Sequence, residues 1–281
     1  MELSEFKRLV LQYKIIFFDA YGVIKNYQGP IDGIKSTFQF LHENSIDFYV
    51  LTNDASRSPR ELADVYRAMD LAEITEHKMI SSGMLAREYL RYKVSKGIVA
   101  YLGTTDSAHY IETLGLTTIS IDKLQLDQVD NISAVVLLDD EGYDWNHDIN
   151  KAINLLRKTN IPVIVANTDK VFPVSDEHVA VAVGGIADMM EQVVGKVFIR
   201  FGKPDAQMFN FAYEHAVQDK GISKNDILMV GDTLSTDIIG GNKFGIDTAL
   251  VLTGNTLPEK ASLLIETTGI IPNYICKSAV I

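Results

Sequence analysis

Short apolar runs rich in β-branched and aromatic residues recur along this chain, each followed by a stretch of helical periodicity. The runs cover 14–19 (KIIFFD), 47–52 (DFYVLT), 97–102, 132–138, 162–166, 197–201, 227–231 (ILMVG) and 248–252. None alternates apolar with polar residues, so each predicts a strand buried on both faces, as in a parallel sheet covered by helices. Helical patterns fill the intervals at 59–69, 83–93, 147–159, 184–194, 205–219 and 237–244. Ser58-Pro59-Arg60-Glu61 marks one helix start: serine caps, proline takes the first helical position, and the glutamate three residues on completes a capping box. The expected class is α/β with a doubly wound parallel sheet.

With 281 residues the chain has room for one large domain or a core plus a second module. Its net charge of −11, with no basic run to offset it, argues against a nucleic acid or an anionic membrane as partner. A phosphorylated small molecule stays open, because a metal and one lysine suffice locally. Cys276 is the single cysteine, so no internal disulfide can form, and a reducing compartment fits. The first residues lack the continuous apolar core of a secretory signal, and no apolar stretch approaches the ~20 residues that span a bilayer. A cytoplasmic soluble protein is expected. His42, His77, His109, His147, His178 and His215 are dispersed without ligand spacing, which speaks against zinc.

The chemistry-bearing residues sit at the ends of predicted strands. Asp19 closes the run IIFF and precedes Ala20, Tyr21 and Gly22, a placement that suits a nucleophilic carboxylate; a helix cap or turn residue is the bland alternative. Thr52 and Asn53 close the second run, where a hydroxyl, an amide and backbone N–H groups can hold phosphate oxygens, or simply form a polar turn. Lys203, between Gly202 and Pro204, is a point charge on a stiff turn that could neutralise Asp19 and a phosphate together, unless it is a surface lysine. Asp232 and Asp237 lie across a strand-to-helix turn and can face one hard cation, of which Mg²⁺ typically takes one or two carboxylates. Between the second and third of these segments lies a long stretch with its own strand–helix alternation and none of this chemistry. It suggests an inserted α/β module that returns to the core near Gly202.

In order and spacing the four segments resemble the four motifs of the haloacid dehalogenase superfamily, most of whose members are Mg²⁺-dependent phosphatases; GDTLSTDIIGGNKFG is the most specific. ISSGMLAREYL, VVLLDDEGYDWNHDINKAINLL and VIVANTDKVFP are similar to cap segments of its NagD-like, class IIA branch. The resemblance implies a Rossmann-like core over 1–80 and 187–281, with an α/β cap over 81–186. It implies Asp19 as the nucleophile that forms an aspartyl-phosphate, Thr52 and Asn53 as phosphate ligands, and Lys203 as the partner of Asp19. Asp232 would ligate Mg²⁺, with Asp237 close by and the carbonyl of Tyr21 as a further ligand. The cap would close over the site, and Asn167, Thr168 and Asp169 are expected as its substrate contacts. The implied substrate is a small phosphorylated metabolite, and cap-mediated homodimers are common among lookalikes.

Tyr21 departs from the family pattern, which has a second aspartate there as general acid and base, a role typically worth ~10²–10⁴-fold. A phenol with an ordinary pKa of about 10 can donate a proton but is a poor acceptor at neutral pH. The first half-reaction could survive with a good leaving group, while hydrolysis of the intermediate would be slow. Asp54 is a candidate substitute base, but turn chemistry explains it as well. Two alternatives stay open: a phosphate-metabolite binder with negligible turnover, and a 2-haloacid dehalogenase, whose FDAYG motif is locally similar. Retention of Asp232 and Asp237 argues against the latter, since halide displacement needs no Mg²⁺. Tyr143 and Trp145 read as cap packing or a cap-edge contact, and Met189-Met190 as core.

Overall fold

The computed structural model describes residues 3–175, 178–217 and 221–281. In chain order the sheet strands are β1 (Ile15–Phe18), β2 (Asp47–Thr52), β3 (Met79–Ser81), β4 (Ile98–Leu102), β5 (Thr117–Ser120), β6 (Ile132–Leu137), β7 (Val163–Val165), β8 (Ile199–Arg200), β9 (Ile227–Gly231), β10 (Asp247–Val251) and β11 (Tyr274–Cys276). Lys25–Asn26 with Gly29–Pro30, and Val171–Pro173 with Val179–Val181, form two small antiparallel ribbons. The chain divides into two compact units, one holding the residues up to Thr52, Pro59–Ile80 and Lys203–Ile281, the other Asn53–Ser58 and Ser81–Gly202.

The first unit is built on a sheet of order β11-β10-β9-β1-β2-β3. Strand β1 pairs in parallel with β9 on one side and β2 on the other, Phe18 lying level with Val230 and Val50. Numbered within this unit the order is 3-2-1-4-5-6, and the chain reverses direction across the sheet between β1 and β9, where open sheets leave a crevice at the strands' carboxyl ends. All four residues of β1 are buried, which is why the run has no polar alternation. Ile16 and Phe18 face a cluster with Phe6, Phe38 and Phe48, the Phe18–Phe38 and Phe38–Phe48 centroids lying 5.7 and 4.8 Å apart. Phe17 points the other way and meets Tyr49 edge-on at 6.2 Å.

The second unit has its own all-parallel sheet of order β8-β7-β6-β4-β5. Leu102, Val135, Leu137 and Val165 from its strands pack with Leu155 and Leu156 of the helix Trp145–Lys158 and with Ile186 and Met190 of the helix Val183–Val194. That packing corrects the expected cap boundary. The unit runs past residue 186 to Gly202, where the gap in the chemistry placed the return to the core, because the helix Val183–Val194 fills its core and β8 pairs with β7. It also takes in Asn53–Ser58, which the expected division gave to the core.

The expected helices at 59–69, 83–93, 147–159 and 184–194 are found at Pro59–Ala68, Ser82–Lys93, Trp145–Lys158 and Val183–Val194. The expected helix 205–219 is described as Ala206–Val217, its last two residues lying outside the described residues. The segment expected as a helix over 237–244 begins earlier and differently, with a π-helical turn over Leu234–Ile238 that passes into an α-helix at Ile239–Phe244. No described helix is long and apolar enough to cross a membrane.

Candidate active site

The site in the first unit gathers where the topology reverses. Asp19 follows β1, and its backbone N–H extends the ladder by donating to the Val230 carbonyl at 2.9 Å. Its Oδ1 accepts from the Ala20 N–H at 2.7 Å and from Lys203 Nζ at 2.6 Å. Lys203 is almost fully buried, and its Nζ also donates to Asp237 Oδ1 at 2.7 Å. Asp232 follows β9; its Oδ1 accepts from the Thr233 hydroxyl at 2.8 Å and its Oδ2 from the Asn255 N–H at 2.6 Å. Asp237 sits within the π-helical turn, fully buried, with Oδ2 accepting from the Thr233 N–H at 3.1 Å. π-helical turns of this kind are rare and frequent at functional sites. Here the turn brings Asp237 against the backbone of Gly231, where a Cβ would collide with it.

Asp19, Asp232 and Asp237 each offer a carboxylate oxygen within 4.8 Å of the others. One lysine cannot neutralise three clustered carboxylates, two of them fully buried. Asp19 is therefore held well above the usual carboxylate range, chiefly by burial and then by repulsion from Asp237, with Lys203 pulling the other way. Asp232 is pushed up to about 7 by burial and by Asp237, against the Asn255 and Thr233 hydrogen bonds. Buried like charges with hard oxygen donors and a charge deficit fit a divalent cation such as Mg²⁺.

Tyr21 is half-buried, and its backbone forms a bridge to Lys25. Burial, and secondarily Tyr27, raises its phenol above the ordinary value of 10.0, so it is protonated at neutral pH. Thr52 is buried at the carboxyl end of β2, one residue beyond the level of Asp19 in the β1–β2 register.

Asn53 belongs to the second unit, and its bonds explain why. Its Nδ2 donates to Asp169 Oδ1 at 2.9 Å and to Thr168 Oγ1 at 3.0 Å, which engages both amide hydrogens. Ser82 Oγ donates to the Asn53 carbonyl at 2.9 Å and also contacts the Ala166 carbonyl. Asn167 Oδ1 in turn accepts from the Asp169 N–H at 2.9 Å. The residues expected as cap substrate contacts thus hold the side chain expected on phosphate. Asp54 Oδ1 accepts from the Ser56 N–H at 2.8 Å, an Asx turn. Trp145 Nε1 donates to the Asp140 carbonyl, Met190 is core, and Met189 is exposed. Thr233, Thr253 and Asn255 were not singled out from the sequence, although the run 248–252 also ends in a polar, glycine-bearing turn, TGNT.

A family model described as haloacid dehalogenase-like hydrolase matches residues 16–117, and a second, HAD-hydrolase-like, matches residues 200–278. A crystal structure of a possible sugar phosphatase of the HAD superfamily from Cytophaga hutchinsonii is 54% identical, with a TM-score of 0.96, over 100% of this chain and 99% of that one. The chain belongs to the haloacid dehalogenase-like hydrolases. This hydrolase is also similar to chronophin of Bos taurus, 25% identical over 94% of this chain and 90% of chronophin. Phosphoglycolate phosphatase 2 of Arabidopsis thaliana is 26% identical over 96% of this chain and 92% of its own length. The p-nitrophenyl phosphatase of Archaeoglobus fulgidus shares the fold, with a TM-score of 0.78, 23% identity, and coverage of 95% of this chain and 97% of that one. The hydrolase is a phosphatase-type enzyme.

Proposed function

We propose that the chain is a Mg²⁺-dependent phosphatase of a small phosphorylated metabolite, working through an aspartyl-phosphate on Asp19 and selective for good leaving groups. The observation that carries this reading is the buried cluster of Asp19, Asp232 and Asp237 around Lys203. Asp19 Oδ1 is engaged by Lys203 and Ala20, which turns Oδ2 into the attacking oxygen. Bond formation from Oδ2 to phosphorus accompanies cleavage of the phosphorus–oxygen bond to the leaving group. Lys203 balances charge on Asp19 as the phosphoryl group arrives, and Thr52 with the N–H that follows it offers donors to the phosphoryl oxygens. Asp19, Asp232 and the Tyr21 carbonyl would hold Mg²⁺, with Asp237 beside them. The cation, when bound, supplies charge neutralisation for the phosphoryl oxygens.

Tyr21 sets the limit. Its raised phenol can donate to a departing oxygen but does not readily take a proton from water at neutral pH. Hydrolysis of the aspartyl-phosphate is therefore the slow half. The single cysteine, Cys276, is buried, and a cytoplasmic setting belongs to the same reading. The test compares an aryl and an alkyl phosphate with Mg²⁺, using wild type, Asp19→Asn and Tyr21→Asp. The expected result is a burst of aryl alcohol followed by slow steady-state turnover, both lost in Asp19→Asn, with slow alkyl turnover that Tyr21→Asp raises ~10²–10⁴-fold. Equal alkyl turnover by wild type and Tyr21→Asp sinks the limited-shuttle reading. Mg²⁺-dependent affinity for phosphate without release from either ester points instead to a binding protein.

A further inference from the structure

The loop after β10 meets the candidate metal site from a direction that the four motifs do not cover. Asn255 reaches Asp232 twice: its N–H donates to Oδ2 at 2.6 Å, and its Nδ2 donates to Thr233 Oγ1 at 2.9 Å, whose hydroxyl donates to Asp232 Oδ1 at 2.8 Å. The relay has one direction. Asp232 can only accept when ionised, so the single Thr233 proton goes to it, and the hydroxyl must then receive the Asn255 amide. Two residues earlier, Thr253 Oγ1 donates to the Gly22 carbonyl at 2.6 Å, next to the Tyr21 carbonyl. Between them, Gly254 lies so close to Asp232 that a Cβ on it would collide with Oδ2, and a Cβ on Gly22 would collide with the same atom. The backbones of β1's exit and of this loop converge on one carboxylate oxygen of the residue that follows β9.

We propose that Thr253 and Asn255, with Thr233, form a clasp that positions the cation-binding groups, fixing the plane of the Asp232 carboxylate and the main chain after Tyr21. The proposal rests on the Mg²⁺ reading above. A carboxylate on a short side chain swings about its last torsion unless both oxygens are held, and here each oxygen has one donor and keeps a lone pair for a cation. Hydrogen bonds of this outer kind typically change metal affinity 10–100-fold when removed. Asn255 and Thr233 act through Asp232, so they are positioning residues.

The test measures Mn²⁺ binding to the full chain by the loss of the free-ion electron paramagnetic resonance signal, which needs no turnover. Wild type, Asp232→Asn, Thr233→Val, Thr233→Ser, Asn255→Ala and the double variant Thr233→Val with Asn255→Ala are compared, with thermal melts in chelator to report folding. Thr233→Val and Asn255→Ala are expected to weaken Mn²⁺ binding ~10-fold or more. Thr233→Ser keeps the hydroxyl and should bind as wild type does. Because the two side chains form one relay, the double variant should be little weaker than Thr233→Val alone. Undiminished affinity in both Thr233→Val and Asn255→Ala, with wild type binding and Asp232→Asn not binding, overturns the clasp and leaves the metal site standing. Failure of wild type to bind, or binding by Asp232→Asn equal to wild type, overturns the metal reading itself and the clasp with it. If only melting temperature moves, the loop is structural and the clasp is wrong.

Discussion

Lys203 donates to Asp19 and Asp237 from a position with almost no solvent contact, so its charge cannot be replaced by water. Lys203→Met keeps the stem and removes the charge, leaving Asp19 and Asp237 uncompensated. Breaking a buried pair in this way typically costs about 3–5 kcal/mol. A urea melt in chelator should show a loss of that order, and phosphatase turnover should vanish with it. Asp19, Lys203, Asp232 and Asp237 were legible in the sequence because each polar group interrupts an apolar strand or a glycine turn, where a parallel sheet presents ligand-binding side chains. The bonding of Asn53 was not legible. Its partners Thr168 and Asp169 lie more than a hundred positions along the chain, and local pattern carries no information about such a contact.

Among the elements, the helix Trp145–Lys158 shows how short-range signals succeed. Asp144 Oδ1 accepts from the His147 N–H at 2.6 Å, while Asp148 Oδ2 accepts from the Asp144 N–H at 2.9 Å, so the two acids cap the first turn reciprocally. Asp144→Ala should lower stability by about 1 kcal/mol, read as a shift in the urea midpoint without change in slope. The π-helical turn over Leu234–Ile238 is the contrasting case. Hydrophobic spacing predicts a helix there but cannot tell an i→i+4 from an i→i+5 turn over so few residues. Strand β8 is shorter than the apolar run 197–201: Ile199 and Arg200 pair with β7, and the Phe201 N–H ends the contact by donating to the Val165 carbonyl at 2.9 Å.

At the scale of the whole molecule, the described residues form two parallel sheets, each with its own hydrophobic core and its own response to solution conditions. In the second unit, burial first and then repulsion from Asp140 and Asp54 push Asp139 up from 3.8 to about 6. The folded chain therefore keeps a proton that the unfolded chain releases, and stability falls as pH rises through that interval and stays lowered above it. Asp139→Asn keeps an acceptor for the Asp140 N–H and removes the penalty. Its stability should exceed wild type by about 2–3 kcal/mol near neutral pH, a gain that disappears towards the ordinary carboxylate pKa of about 4. In the first unit, a cation that binds only the folded chain stabilises it by mass action, about 2.7 kcal/mol at a hundredfold excess over Kd. Mg²⁺ should raise the melting temperature, chelator should reverse the rise, and Asp232→Asn should abolish it. The α/β class and the insertion of one module in another could be read from the alternation of runs. The return to the core near Gly202 could be read as well, from the turn before Lys203; the place of residues 187–201 in the second unit could not, because only the helix packing and the pairing of β8 with β7 assign them there.

The hydrogen bonds from Asn53 to Thr168 and Asp169, and from the Tyr110 hydroxyl to the Arg57 carbonyl at 2.7 Å, tie residues 53–58 to a module that begins twenty-odd positions later. This bears on how the module can be transplanted between relatives. A chimera joined only at the obvious seams, before Ser81 and after Gly202, would import the module but keep a host connector, separating Asn53 and Arg57 from the groups they bond. A donor segment meant to keep its own hydrogen bonds should include Asn53–Ser58 as a second, much smaller graft.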